Sequence, residues 1–180
     1  MISLEMTRTE ILVQELTRAQ NLIKLGARPP IVSSLVRDIR KSDISAMYLE
    51  VHGVTPPKGQ LPSQTRYYFS SYTTKLHSSI LSSLYQILRQ QQSNHADAMI
   101  YAYTFYINTF IFDDHPRIEF DRFWALLREI QTNKIAQVRC TSCNSRFIED
   151  SSALINENSC PACWLERKIN KSEERNAKAA

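Results

Sequence analysis

Every cysteine in the chain falls inside one window of 24 residues, as C-x2-C at Cys140 and Cys143, sixteen intervening residues, and C-x2-C at Cys160 and Cys163. Two thiolates three positions apart on a tight turn can both face one ion, and two such turns joined by a fold-back complete a tetrahedron. Short alternating pieces at 135–139 and 146–148 flank the first pair, and polar residues separate it from the second. So few apolar residues cannot order the segment; metal-linked free energy on the order of 10 kcal/mol is what folds it. Two disulfides would use the same cysteines in an exported chain, and iron also accepts four thiolates. Zinc is favoured, because nothing here signals export and cytosolic thiols stay reduced. Four thiolates leave no open coordination position, so one structural Zn2+ per chain is expected.

The residue after the second thiolate of such a knuckle often needs a positive φ. Asn144 follows Cys143, and asparagine tolerates that region better than most residues bearing a side chain. Trp164 follows Cys163 and does not suit that conformation, so the second pair is expected to run straight into a helix through Leu165 and Ile169.

Only three glycines (Gly26, Gly53, Gly59) occur in 180 residues. Phosphate-cradling loops of the P-loop or dinucleotide type need clustered glycines, so they are excluded, and helices are favoured over a turn-rich β architecture. The four histidines are scattered without H-E-x-x-H, no G-x-S-x-G occurs, and no cysteine is left over as a nucleophile. Neither an enzyme nor a small-molecule substrate is expected. No apolar run approaches the roughly 18–20 residues that span a bilayer, and no export pattern opens the chain, which points to a cytoplasmic protein without membrane association.

Thr7-Arg8-Thr9-Glu10 reads as a capping box, followed by a stripe of Leu12, Leu16, Ala19 and Ile23 and a stop at Gly26. Pro29-Pro30 precedes a short apolar-periodic stretch at 31–39. After a turn at Arg40-Lys41-Ser42, Ser42 or Asp43 caps a helix with Ile44, Met47, Tyr48 and Val51 inward, ending at Gly53. Three prolines between Val54 and Pro62 forbid regular structure there. Three longer helices are predicted at about 72–91, 95–110 and 119–133. The first buries Leu76, Ile80, Leu84 and Ile87–Leu88, and Asp113-Asp114-His115-Pro116 turns between the other two. The predicted architecture is mainly α, with a helical body at 1–134, a zinc-ribbon-like four-cysteine module at 135–166, and a charged, flexible tail at 167–180.

A net charge of +4 is compatible with a nucleic-acid partner without demanding one. Residues 31–53 have the spacing of a helix-turn-helix, although on the residues alone a packing hairpin is the favoured reading. The second helix would expose Ser45, Ala46, Leu49 and Glu50, a set with no arginine or lysine. Arg37, Arg40 and Lys41 at the preceding turn are candidate phosphate contacts. A second candidate set is Arg128, Lys134, Arg139 and Arg146, set against Glu129 alone.

Several stretches together resemble the FlhC family of flagellar transcriptional activator subunits. They are Leu22-Ile23-x-Leu25-Gly26-Ala27-Arg28, Tyr48-x-Glu50-x-x-Gly53, Pro56-Pro57-Lys58-Gly59-x-Leu61-Pro62, His77-Ser78, Asp97-Ala98-x-Ile100-x-Ala102-Tyr103 and Arg122-x-Trp124-x-Leu126-x-Arg128, then the four cysteines with Phe147 after the first pair. The resemblance runs from about residue 19 to 165, and where the family commonly has glycines after the first cysteine pair this chain has Asn144-Ser145. It implies a DNA-binding activator acting with a second subunit, FlhD, in a hetero-oligomer that binds upstream of flagellar promoters and assists RNA polymerase. It also carries the family's zinc ligands onto Cys140, Cys143, Cys160 and Cys163. A scaffold whose partner makes the DNA contacts, or a thiol-based redox switch, would use the same cysteines differently.

Overall fold

The structure, a computed structural model, describes residues 6–92, 94–112, 115–152 and 159–179. Helix α1 (Arg8–Lys24) starts on the expected capping box: Thr7 N–H donates to Glu10 Oε2 at 2.7 Å and Glu10 N–H to Thr7 Oγ1 at 3.3 Å. It ends where Gly26 takes φ +92°, which lets Ala27 N–H reach back to the Leu22 carbonyl at 3.0 Å. The stripe read along α1 is buried only in its second half. Ala19 and Ile23 are inside, whereas Leu12 and Leu16 are exposed and Glu15 takes the inward place. Glu15 is tolerated there because it accepts the Arg37 N–H at 2.7 Å and pairs with Arg18, whose guanidinium also grips Asp97 through two 2.8 Å bonds.

Helix α2 (Pro29–Leu35) opens on its proline pair, whose missing N–H groups are no loss in a first turn. The chain then turns through Asp38 at φ +57°, and α3 (Lys41–His52) begins two or three residues earlier than expected, with Arg40 at the cap position in place of Ser42 or Asp43 and no side-chain cap. Asp43 sits inside the first turn, where its carboxylate faces the amide end of the helix and pairs with Arg40 at 2.9 Å. Ile44 and Tyr48 are buried as read, but Val51 is exposed. Gly53 closes α3 in the left-handed region. Residues 54–64 contain no helix or strand, as the prolines require.

A 3-10 turn (Thr65–Phe69) leads into α4 (Tyr72–Gln91), then α5 (His95–Thr109), a two-residue strand pair β1 (Ile111–Phe112) and β2 (His115–Pro116), and α6 (Phe120–Gln131). Asp113 and Asp114, read as a turn, lie outside the described residues. Strands β3 (Ile135–Arg139) and β4 (Arg146–Asp150) form an antiparallel ribbon, and α7 (Pro161–Ala179) follows the second cysteine pair. Residues 167–179, set apart as a tail in the sequence, continue α7 as helix.

The chain divides into two compact units, 1–62 with 85–124 and 63–84 with 125–180. In the first, α1, α2 and α3 bury Leu22, Ile23, Ile31, Val32 and Ile44, and α5 and α6 supply an aromatic cluster. Tyr103 stands edge-on to Phe120 and parallel to Phe123, and its hydroxyl donates to the Ile118 carbonyl at 2.9 Å. Arg28 clamps this unit: its guanidinium pairs with Asp121 and reaches the carbonyls of Gly59 and Gln60, holding the proline-rich segment.

In the second unit Ile135 and Ile148 pack with Tyr68 and Leu126. That packing groups residues 63–84 and 125–134 with the cysteine segment, so the units do not divide near residue 134. The buried face of α4 here is also not the predicted one. Ser78, Ser79, Leu81 and Ser82 are inside, the leucines of the expected stripe are only half-buried, and Ile87 is 56% exposed. The reason is hydrogen bonding. Ile148 N–H on β4 donates to Ser79 Oγ at 3.1 Å, and Ser83 Oγ donates to the Arg146 carbonyl at 3.3 Å. Small hydroxylated residues let α4 approach the open edge of β4 and satisfy it, which leucines cannot do.

Candidate metal centre

The β3–β4 ribbon sets the first cysteine pair. Its register places Val138 opposite Phe147 and Arg139 opposite Arg146, so the turn between them carries Cys140 and Cys143 at the ribbon's tip. Cys140 N–H donates to the Ser145 carbonyl and Asn144 N–H to the Cys140 carbonyl, each at 2.9 Å, and the turn closes with Asn144 at φ +60°. That is the conformation anticipated for this position. Phe147 lies beneath, packed with Cys140 and Cys160 and flanked by Val138 and Cys163. The second pair opens α7, where Trp164 N–H donates to the Cys160 carbonyl at 3.0 Å.

The four Sγ atoms all lie within 4.8 Å of one another, and Cys143 and Cys160 Sγ are 3.6 Å apart. A tetrahedron with bonds of about 2.3 Å has edges of about 3.8 Å, so the cluster has the size a zinc-like ion requires. Amides point at the sulfurs as well: Cys160 N–H lies 3.2 Å from Cys140 Sγ, and Cys163 N–H 3.5 Å from Cys160 Sγ. Such bonds fix thiolate orientation and disperse their charge.

Electrostatics point the same way. Burial opposes the Cys140 thiolate, yet hydrogen bonds from the Cys160, Cys143 and Ser142 backbone outweigh it and hold the thiol down at about 6. The neighbouring Cys143 and Cys160 sulfurs push the Cys163 thiol up to about 12. Hydrogen bonds to Ser145 lower Cys143, while burial raises Cys160. Four sulfurs this close cannot all ionise together without a cation beside them. These four residues can therefore hold one metal ion, with all four protein positions occupied.

Of the basic residues singled out in the sequence, Arg139 and Arg146 are brought together, exposed and directly across the ribbon from one another. Arg139 also reaches the Asn144 carbonyl at 3.3 Å, bridging the knuckle. Arg128 is exposed on α6, and Lys134 pairs with Glu129 at 3.2 Å, which engages it locally. Arg37, Arg40 and Lys41 are exposed but belong to the other unit, with Arg40 already paired to Asp43. The sequence reading missed the aromatic anchor of α7. Trp164 stacks on Tyr72 with ring centroids 3.6 Å apart, and Lys168 Nζ lies 4.9 Å from the Trp164 ring. A tryptophan and a lysine at i and i+4 just after the last cysteine were the available signal.

A family model described as flagellar transcriptional activator (FlhC) matches residues 6–176. The chain belongs to the FlhC family. Among its relatives, the flagellar transcriptional regulator FlhC of Paraburkholderia phymatum is 31% identical over 163 residues, covering 89% of this chain and 74% of the relative. That of Cupriavidus metallidurans is 29% identical over 161 residues, covering 87% and 75%. That of Enterobacter cloacae is 29% identical over 154 residues, covering 84% and 80%. Membership makes this chain a regulator of flagellar transcription and not an enzyme. Among the described residues no helix is long and apolar enough to cross a membrane.

Proposed function

We propose that this FlhC-family chain is the DNA-binding subunit of a hetero-oligomeric activator, acting with FlhD at flagellar promoters to assist RNA polymerase. Its four-cysteine site takes one structural Zn2+. Held by Cys140, Cys143, Cys160 and Cys163, the ion neutralises the thiolate charge and fixes the ribbon tip to the start of α7. With four protein ligands it offers no place for water or substrate, so its work is architectural.

The observation that carries the DNA reading is the cross-strand pair Arg139 and Arg146. Two guanidinium groups directly opposite on an antiparallel ladder concentrate positive charge at the ribbon tip, which would attract a polyanion. They stand at the strand ends next to Cys140, where a metal-pinned turn limits how far they can splay. Guanidinium groups so placed suit backbone phosphates, which position a protein on a duplex without reading its sequence. Arg128 and Lys134, the latter also paired with Glu129, are further candidate contacts, as are Arg37, Arg40 and Lys41 on the other unit.

A scaffold in which the partner makes the DNA contacts is favoured by one feature, the exposed apolar residues Ile11, Leu12, Val13 and Leu16 on α1 and Leu49 on α3. Titrating labelled flagellar-promoter DNA with the FlhD-partnered complex across a salt series separates the two. Replacing Arg139 and Arg146 by alanine should make the log–log salt slope shallower by about 0.9 per lost phosphate contact. An unchanged slope and affinity would remove these arginines from the interface and leave the scaffold.

A further inference from the structure

Among the described side chains, helix α7 is attached to its unit at its first turn. Cys163 joins the thiolate cluster, Pro161 is buried, and Trp164 is stacked on Tyr72. From Leu165 to Ser172 every residue is exposed, including Leu165 at 48% and Ile169 at 47%. A stretch exposed on all sides gains little from packing within the chain, so a partner laid against it would add to its stability.

Over residues 164–172 its charges are sorted. At 3.6 residues per turn, Trp164, Arg167, Lys168 and Lys171 fall within one sector roughly 100° wide, Leu165 and Ile169 lie together to one side, and Glu166 lies on the far side. Within the basic sector Arg167 is turned back onto the Cys163 carbonyl and Ser159 Oγ, and Lys168 lies over the Trp164 ring. Positive charge is thus held in place along the rod by the same residues that anchor it to the metal cluster.

We propose that α7 is a second DNA-contacting element of this chain: a metal-anchored basic helix that lays its Arg167–Lys168–Lys171 sector along the phosphates of one groove wall. This rests on the DNA-binding reading above and extends it from the ribbon tip to a helix. Three observations support it jointly. The helix grows directly out of the cysteine cluster whose other knuckle carries the Arg139–Arg146 pair. Nineteen residues at about 1.5 Å each make a rod of about 28 Å, enough to reach several successive phosphates along a groove. Over residues 164–172 the cations keep to one sector away from Glu166, and Lys171 closes that stretch one turn before Glu174.

The test uses the FlhD-partnered complex and flagellar-promoter DNA. Lys171→Gln, and Lys168→Gln with Lys171→Gln, are compared with the unaltered protein for affinity and salt slope, with zinc per chain and FlhD pairing measured in parallel. The expected result is a slope shallower by about 0.9 for the single variant and about 1.8 for the double, uniform across promoter sequences, at unchanged zinc content and pairing. Lys171→Gln is the variant that stays interpretable, because Lys171 lies beyond the Trp164 stack. If DNA binds and responds to Arg139→Ala and Arg146→Ala but both lysine variants retain the full slope, α7 is overturned while the DNA reading stands. Should the lysine variants instead abolish FlhD pairing, α7 is a partner-docking helix and the proposal is equally overturned. A complex that binds no promoter DNA at any salt fails the underlying reading, which separates that outcome from the other two.

Discussion

Tyr72 on α4 and Trp164 on α7 lie face to face, their ring centroids 3.6 Å apart and their planes 13° from parallel. This stack ties α7 to a helix outside the cysteine cluster. An offset aromatic pair contributes about 1 kcal/mol beyond its buried area, and Tyr72 is half exposed, so the coupling belongs at or below that value. A Tyr72→Ala, Trp164→Ala double-mutant cycle should return a coupling of about 0.5–1 kcal/mol. Amide exchange across 165–172 should accelerate in either single variant, while zinc content holds because the thiolates are untouched. Unaltered exchange would mean that the metal alone anchors the helix.

Ser79 does work on α4 that a larger residue could not. Its Oγ donates to the Lys75 carbonyl at 2.7 Å and accepts the Ile148 N–H at 3.1 Å. In Ser79→Ala the Ile148 amide is left buried without a partner, a cost of about 1–3 kcal/mol. Urea denaturation should show that loss, and exchange at the Ile148 amide should rise more than at Phe147. Equal changes at both amides would indicate general loosening instead of one lost bond.

These two contacts show where the sequence was readable and where it was not. Local signals were legible because they are local: the Thr7–Glu10 box, the stops at Gly26 and Gly53, the extent of α4 and the left-handed Asn144 all follow from neighbouring residues. The spacing of the four cysteines carried the site for the same reason. The inward face of α4 was not legible, because periodicity marks leucines as core whereas the edge of β4 selects serines, and that edge belongs to a strand over sixty residues away. Leu12 and Leu16 follow the right period but lie exposed. Residues 167–179, set apart by their low hydropathy, continue as helix from a cluster cysteine and an aromatic stack, both of which depend on residues distant in the sequence.

The Arg28–Asp121 pair is nearly enclosed, with side chains 14% and 12% exposed, and Arg28 also serves the Gly59 and Gln60 carbonyls. Removing one partner of such a pair strands the other charge, at a cost of about 3–5 kcal/mol. Arg28→Ala should approach that figure, and Arg28→Lys should recover only part of it, because an ammonium cannot reproduce the planar fork. Thermal unfolding with limited proteolysis at 54–62 checks both parts: the segment should become the first cleavage site in Arg28→Ala. Full stability in that variant would show the clamp to be energetically idle.

Asn144 at φ +60° gives the first knuckle an unusually clean test. Glycine adopts this conformation without a steric cost, whereas a β-branched residue meets a penalty of about 1–2 kcal/mol. Asn144→Gly should therefore bind zinc about as tightly as the parent, and Asn144→Val about tenfold more weakly or worse, in competition with a chromogenic chelator. Equal affinities for valine and glycine would mean that the knuckle rearranges freely around the ion.

His95 supplies a pH signature in the first unit. Burial disfavours its imidazolium and the Arg89 charge adds to the effect, so its pKa lies below the ordinary histidine value, while Tyr85 Oη sits 2.6 Å from Nδ1. The unfolded chain therefore takes up this proton first as the pH falls below about 6.5, and stability declines from there until the folded imidazole also protonates. Above that window both states are neutral and His95 contributes no slope. His95→Gln keeps an acceptor for the Tyr85 hydroxyl and removes the titration. Urea midpoints at pH 7.5 and 5.5 should then converge in the variant relative to the parent. Because acid release of metal from the thiolates affects both proteins alike, the difference between them isolates the histidine. If variant and parent lose the same stability over that range, the acid sensitivity comes from elsewhere, and the Tyr85–His95 contact is indifferent to protonation.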